Sequence, residues 1–168
     1  MSTKGFILND GGRAAAGFRN KATAGDCVAR AIAIASGRPY REIYDALAHG
    51  NATQRSTKHS RGLSGRRTAS NGIFTQRKWF KDYMRSLGFV WVPTMSIGSG
   101  CTVHLIASEL PAGRLVCMLS KHATAMINGV VHDAFDPRRP MIETRPGDPI
   151  EHHIETRCVY GYWRLADA

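Results

Sequence analysis

The chain has 168 residues, which is the length of one ordinary domain. Hydrophobic residues make up 43% and charged residues 21%, both close to the averages of globular proteins, so wholesale disorder is excluded. No run approaches the roughly 18 apolar residues of a membrane span, and the N-terminal residues include no apolar stretch long enough for a signal peptide. We therefore expect a single cytoplasmic domain over residues 1–168, without membrane contact.

Lys and Arg together number 23 against 13 Asp and Glu, which gives a net charge of +10. Such a field attracts nucleic acid or acidic proteins. The most basic segment, residues 52–72, is nearly without hydrophobic residues and is predicted to be a long exposed loop. This loop would contact an acidic protein or nucleic acid, or it would be a solvated linker. Its basic residues are Arg55, Lys58, Arg61, Arg66 and Arg67.

The first half of the chain predicts a leader followed by three helices. Residues 1–25 are rich in Gly, Ala and Asn and are predicted to wrap the domain, with a short strand at residues 6–8. From Cys27 apolar residues recur at helical spacing until Gly37, which suits a helix end. The remaining predicted elements of this half are a second helix opened by Pro39 and stopped at residues 49–51, and a third over residues 75–87 ended by Gly88.

The second half favours strands, because the apolar period changes from 3.6 to 2. Asn128-Gly129 is a strong signal for a two-residue hairpin turn. Helices that precede antiparallel strands predict an α+β fold with N-terminal helices packed on a C-terminal antiparallel sheet. The predicted elements are a strand at 89–92, a short helix at 102–110, strands at 114–120, 123–127 and 130–132, a loop at 138–156 and a last strand at 157–165.

The cysteines are widely and irregularly spaced, and a cytoplasmic chain keeps its thiols reduced, so no disulfide is expected. Cys117 lies in an apolar run and is predicted to be a core residue. A candidate zinc site would combine Cys101-x-x-His104 and His152-His153 with Cys158. These spacings match no standard zinc finger, so neither a metal nor another cofactor is predicted.

Cys27 differs from the other cysteines because it stands where the first helix begins, in Gly25-Asp26-Cys27. The positive end of a helix dipole stabilises a thiolate, which lowers the pKa of cysteine below about 8.5. Gly25 leaves room for a substrate backbone and for peptide N–H groups that face an oxyanion. Cys27 is therefore a candidate nucleophile, the alternative being a small core residue.

A nucleophilic cysteine needs a base, and His122 is the best candidate because it lies at the start of a predicted strand. The hairpin at Asn128-Gly129 returns the next strand to His122, which then lies opposite about position 135. Asp133 and Asp136 are both within two positions of that point. Asp133 is the preferred orienting acid and Asp136 the alternative.

The order of cysteine on a helix, histidine on a strand and then an acid resembles the papain-like cysteine peptidase superfamily. The run over residues 25–37 is similar to the nucleophile helix of that superfamily, including that of ovarian-tumour-type deubiquitinases. The run over residues 115–133 is similar to its histidine hairpin. The chain also resembles small bacteriophage-encoded proteins assigned to this fold, which would place it in the cytoplasm of a host cell.

The resemblance implies a papain-like thiol hydrolase that cleaves amide, isopeptide or thioester bonds of a protein or peptide through an acyl-enzyme at Cys27. Many papain-like enzymes have a glutamine before the cysteine as oxyanion donor. Here Asn20 is the nearest upstream amide side chain, so the predicted oxyanion donors are Asn20 and the Cys27 amide. The alternatives are an inactive papain-like module that binds nucleic acid or a host protein through its basic surface, and a cell-wall peptide amidase or acyl transferase.

Overall fold

A computed structural model describes residues 5–18, 25–58, 67–70, 72–139 and 157–167 of the chain. These residues form an α+β fold of three helices and six strands. In chain order the elements are β1 (Phe6–Leu8), α1 (Cys27–Ser36), α2 (Tyr40–Thr53), α3 (Lys78–Ser86), β2 (Phe89–Pro93), β3 (Arg114–Leu119), β4 (His122–Ile127), β5 (Val130–Asp133) and β6 (Gly161–Leu165).

The six strands form one mixed sheet in the order β1-β5-β4-β3-β6-β2. Neighbouring strands are antiparallel except for β1, which pairs in parallel with β5. The C-terminal strands pair antiparallel as expected, but the sheet as a whole is mixed and not antiparallel throughout, because the N-terminal β1 joins the free edge of β5. Parallel pairing requires a long crossover, and the chain between β1 and β5 contains all three helices.

The predicted hairpin turn is confirmed. Asn128 and Gly129 both have positive φ, 48° and 80°, as a type I′ turn requires. The register pairs Ile127 with Val130 and Ala125 with His132. This register brings the end of β5 back to the start of β4.

Helix α1 packs against the sheet through eight buried residues, four of which are alanine. Small side chains let a helix approach a sheet closely. Gly37 ends α1 at φ 70°, as predicted. Arg114 of β3 donates hydrogen bonds to the last carbonyls of the helix, those of Ile34 and Ala35, at 3.0 and 2.7 Å. Helix α1 is thus held at both its buried face and its C-terminal end.

Helix α2 does not stop at residues 49–51 but continues to Thr53. Position 50 lies inside the helix and requires a glycine, because the indole of Trp79 occupies the space that a side chain would fill. A Cβ on Gly50 would lie 2.2 Å from Cζ3 of Trp79. The glycine that suggests a helix end in the sequence is instead required for side-chain packing.

Residues 102–110 form turns and not the predicted helix. Leu105 and Leu110 pack into a second apolar cluster, which includes Cys117 as a core residue as predicted. The backbone of this segment pairs with residues 157–159, because the N–H of Leu105 donates to the carbonyl of Arg157 and that of Val159 donates to the carbonyl of Val103. The last strand consequently begins at residue 161 and not at 157.

The same pairing brings two distant cysteines together. His104 and Cys158 form an isolated bridge, and Cys101 forms a disulfide with Cys158 across 57 residues of sequence, with a Cα–Cα distance of 5.9 Å. The expectation that all four thiols are free is therefore wrong. Cys27 and Cys117 are free cysteines.

The described part of the leader packs on the domain, with the ring of Phe18 5.0 Å from that of Tyr40. The segment over residues 52–72 is not exposed throughout. Residues 52–53 belong to α2, and Ala69 is buried while Tyr44 hydrogen-bonds Ser70 at 3.0 Å. Residues 59–66 lie outside the described part of the chain, as do residues 140–156 of the predicted loop.

Within the described ranges, no helix combines the length and apolar character that crossing a membrane requires.

Candidate active site

Cys27 is the first residue of α1, and the N-terminus of this helix is not capped by a side chain. Asp26 occupies the N-cap position without a capping hydrogen bond. Its carboxylate turns inward and accepts hydrogen bonds from Arg13 and Arg30. The first N–H groups of a helix have no partner within the helix, and the Asp26 side chain does not satisfy them here. The first N–H groups of α1 therefore receive no acceptor from the helix itself or from the Asp26 side chain, and the positive dipole end of the helix lies beside Cys27.

His122 is the first residue of β4, after the tight turn in which Lys121 has a φ of 56°. Its Nε2 lies 2.7 Å from Oδ2 of Asp133, which ends β5. Both side chains are nearly buried. Because an ionised carboxylate only accepts hydrogen bonds, Nε2 carries a proton and Nδ1 is left for a second partner.

The second partner of the imidazole is Cys27, whose thiol hydrogen-bonds His122. Burial by itself raises the pKa of Cys27. The hydrogen bond and charge of His122 oppose burial, as do the backbone N–H of Ala123 and the charge of Arg30. Together they hold the pKa of Cys27 below its ordinary value.

Burial by itself lowers the pKa of His122. Hydrogen bonds and charge interactions with Asp133 and Cys27 outweigh burial and raise the pKa of His122 to about 9. A lowered thiol pKa and a raised imidazole pKa both favour a thiolate–imidazolium pair near neutral pH.

The structure separates the two candidate acids. Asp136 pairs with Arg138, with Nη2 to Oδ2 at 2.7 Å, and this hydrogen bond lowers the pKa of Asp136. Asp133 accepts from His122 through one oxygen and from the N–H of Ala134 through the other, at 2.7 Å. The acid brought to the imidazole is therefore Asp133, which lies two positions before the residue that the hairpin register places opposite His122.

The two predicted oxyanion donors differ in what the structure describes. Asn20 lies outside the described residues. Cys27, as the first helical residue, has an N–H with no partner inside α1. Gly25, two residues earlier, is exposed and places no side chain in front of this donor.

A cavity of about 630 Å³ lies one strand away from His122. Met118 and Leu119 of β3 line it, and they pair across the sheet with Ala123 and His122. Two tryptophans, Trp91 and Trp163, also line this cavity. Its other large apolar lining residues are Met95, Ile97 and Tyr160, beside Trp91 and Trp163.

Two residues near the site have no counterpart in the predictions from sequence. The ring of Phe135 lies 5.2 Å from that of His122 and remains 49% exposed, so it covers one side of the imidazole. Arg30 of α1 is 5% exposed and pairs with both Asp26 and Asp133. Arg30 has a signal in the sequence, since it is a lone charge among eight otherwise apolar residues from Val28 to Ala35, and such a buried charge needs a buried partner.

Among the residues that the structure describes, the other cysteines and histidines do not form a site of this kind. Burial raises the pKa of the Cys117 thiol to about 12. Cys101 and Cys158 are joined in the disulfide. Among the residues that the structure describes, no group of three or more His, Cys, Asp or Glu side chains is placed to hold a metal ion, and His152 and His153 lie outside those residues.

The basic segment is described in part. Arg55, Lys58 and Arg67 are exposed, while Arg61 and Arg66 lie outside the described residues. The guanidinium and ammonium groups that are described are thus placed on the surface, where they can contact an anionic partner.

Comparison of the chain with models of protein families, with curated proteins and with solved structures gives no match.

Proposed function

We propose that this chain is a papain-like thiol hydrolase that cleaves amide, isopeptide or thioester bonds of a protein or peptide through an acyl-enzyme at Cys27. The observation that supports the proposal is that His122 hydrogen-bonds Asp133 at 2.7 Å and interacts on its other side with Cys27, at the start of α1, in a way that lowers the pKa of Cys27. A cysteine nucleophile requires such a base within hydrogen-bond reach and a third group that orients the base.

In the acylation step, the Cys27 thiolate attacks the carbonyl carbon, and the C=O electron pair moves to the oxygen. The N–H of Cys27 donates to this oxyanion. When the tetrahedral intermediate collapses, the imidazolium of His122 gives its proton to the departing amine, thiol or amino group of a side chain. The products are a thioester on Cys27 and a neutral imidazole.

In the deacylation step, the neutral His122 takes a proton from a water molecule, and the resulting hydroxide attacks the thioester carbonyl. Collapse of the second intermediate breaks the C–S bond, releases the carboxylic acid and restores the thiolate–imidazolium pair. Asp133 keeps Nε2 of His122 protonated through both steps, so that Nδ1 is the nitrogen that exchanges the proton.

Reaction with electrophilic probes tests this proposal. Iodoacetamide at pH 6 is expected to label Cys27 much faster than Cys117, with the sites assigned by mass spectrometry, because Cys27 has the lowered pKa and Cys117 the raised one. A panel of peptide, ubiquitin-like and cell-wall peptide probes with reactive acyl groups then identifies the substrate class. Covalent capture by the cell-wall probes alone would support the amidase alternative.

Two variants control for nonspecific effects. Cys27→Ala abolishes labelling by the acyl probes if the acyl-enzyme forms at this residue, and His122→Ala reduces the rate by about 10²- to 10⁴-fold, the usual contribution of a general acid–base. Equal labelling of Cys27 in native and unfolded protein at pH 6 would contradict an activated thiolate. Hydrolysis that persists in Cys27→Ala would contradict the acyl-enzyme.

A second candidate function is that of a binding module for nucleic acid, favoured by the net charge of +10 and by the exposure of Arg55, Lys58 and Arg67. Its test is retention on a DNA column. A binding module elutes at a salt concentration that Cys27→Ala does not change, and elution shifts to lower salt when Arg55 and Lys58 are both changed to Gln. Passage through the column at low salt excludes this function.

A further inference from the structure

A buried ionic cluster lies directly behind the candidate nucleophile. Asp26 is fully buried and receives three donors, the Nε of Arg13 at 2.7 Å, Nη1 of Arg30 and the hydroxyl of Tyr40. Arg13 and Arg30 are 7% and 5% exposed. Burying charges this deeply has a large desolvation cost, so the cluster does not by itself indicate a gain in folding stability.

Within this cluster Arg30 contacts two carboxylates on different elements. Its Nη1 binds Asp26, and its Nη2 lies 3.7 Å from Oδ1 of Asp133. The other oxygen of Asp133, Oδ2, accepts from His122. Arg30 thus connects the helix that begins at Cys27 with the strand that presents the acid.

The hydrogen bonding of Arg30 is incomplete in a way that points to Asp133. Among the described residues, Nε of Arg30 finds no hydrogen-bond partner. A buried guanidinium selected only to neutralise Asp26 would gain most from saturating its donors on that carboxylate. Arg30 instead directs one arm to Asp26 and the other toward Asp133.

We propose that Arg30 is a positioning residue of the thiol site, which holds Asp133 in the orientation that accepts from His122 and balances the charge of that carboxylate. This inference rests on the function proposed above. A planar fork with two separate arms is needed, because a lysine ammonium is a single point that cannot reach both carboxylates in the same way.

The charged groups around the site give the expected direction of the effect. Cys27 faces His122 and the Ala123 N–H from β4, and Arg30 from its own helix. Asp133 faces His122 and Arg30. Loss of the Arg30 charge removes an attraction for the thiolate, so a larger fraction of Cys27 is protonated at pH 6.

The experiment compares Arg30→Met and Arg30→Lys with Arg13→Lys, a matched control that changes a second buried arginine on Asp26. The first readout is the pH dependence of Cys27 alkylation. The second is the downfield proton resonance of the His122 Nε2–H, a signature of its bond to Asp133 that a purely structural role of Arg30 would not change in folded protein.

If Arg30 positions Asp133, Arg30→Met is expected to slow alkylation of Cys27 at pH 6 by about three- to ten-fold, which corresponds to a rise in pKa of up to about one unit. Arg30→Lys is expected to keep most of the wild-type alkylation rate but to broaden or lose the downfield resonance of His122. Arg13→Lys is expected to keep both.

The outcomes separate the two proposals. A wild-type Cys27 that reacts no faster than an ordinary thiol overturns the hydrolase and, with it, this inference. An activated Cys27 together with an unchanged resonance and pH profile in folded Arg30→Lys overturns the role of Arg30 alone. Equal losses in Arg30→Lys and Arg13→Lys also overturn that role. If Arg30→Met does not fold, the comparison of Arg30→Lys with Arg13→Lys still tests the role of Arg30.

Discussion

At the scale of single residues, His122 determines the charge state of the candidate site. The imidazole has two partners: Asp133 accepts from its Nε2, and Cys27 interacts with the other side of the ring. Each partner favours the protonated ring. The protonated ring in turn stabilises the thiolate. The protonation of Cys27 and that of His122 are therefore one coupled property of the site.

This coupling predicts different pH profiles for two reactions of Cys27. Alkylation needs only the thiolate, so its rate is expected to rise through the lowered pKa of Cys27 and then level off. Hydrolysis also needs the imidazolium as general acid, so kcat/KM is expected to fall above about pH 9, where His122 loses its proton. Rates measured between pH 4 and pH 10 test this expectation, and a hydrolysis profile without an alkaline limb would contradict it.

The same pKa affects stability. The pKa of His122 is raised on folding from 6.5 to about 9, so its contribution to the free energy of unfolding is complete below pH 6.5 and is lost as the pH rises through about 9. His122→Gln removes this pH dependence. Urea unfolding of both proteins at pH 6 and pH 10 measures the change in the free energy of unfolding between the two pH values. The same change in both proteins would show that the His122 ion pair does not contribute to stability.

Asp133 and Asp136 provide a matched pair of substitutions. Asp133→Asn is expected to lower kcat/KM by about 10- to 100-fold, the value of a hydrogen bond to a charged group, because His122 loses its charged acceptor. Asp136→Asn is expected to leave kcat/KM within about two-fold, since Asp136 pairs with Arg138 on the surface. Steady-state kinetics on a substrate identified with the probe panel measure both values. Equal losses of kcat/KM in the two variants would contradict the assignment of Asp133.

At the scale of elements, the contact between α2 and α3 depends on one glycine. In an exposed helix, Gly→Ala is stabilising by about 1 kcal/mol. Gly50→Ala is instead expected to lower the free energy of unfolding by about 1–3 kcal/mol, because its Cβ would lie 2.2 Å from the Trp79 ring. Urea denaturation measures this change.

The control for this contact is the double variant Gly50→Ala with Trp79→Leu. Removing the indole also removes the overlap, so the added cost of Gly50→Ala is expected to vanish in that background. A cost that persists there would place its origin elsewhere in the helix.

At the scale of the whole molecule, the Cys101–Cys158 disulfide joins the segment after β2 to the segment before β6. Both segments line the cavity, through Met95 and Ile97 on one side and Tyr160 on the other. The bond thus holds together two walls of the space beside the candidate site, although neither of its cysteines takes part in the chemistry.

Thiol counting tests this disulfide. Protein purified without reductant is expected to show two thiols when unfolded, Cys27 and Cys117, and four after reduction. Cys101→Ser is expected to lower the free energy of unfolding by about 2–4 kcal/mol, the usual range for a bond that closes a long loop. Four thiols in the unreduced, unfolded protein would contradict the bond.

Much of the local structure could be predicted from the sequence, because it depends on neighbours in the chain. The start of α1 at Cys27 follows from apolar periodicity, and its end at Gly37 and the turn at Asn128-Gly129 follow from short-range rules of backbone conformation. The same turn places position 135 opposite His122 and so brings both Asp133 and Asp136 within two positions of that point, since the register of a two-residue hairpin is set by its loop.

The tertiary structure decided the features that depend on residues distant in the chain. Pairing of β1 with β5, the turns at residues 102–110 and the Cys101–Cys158 bond each need a partner more than fifty residues away. The choice of Asp133 over Asp136 and the reach of Arg30 toward Asp133 also needed the folded chain. The physical reason is that a helix period or a turn is encoded by adjacent residues, whereas a contact between elements depends on burial and charge that exist only after those elements have packed.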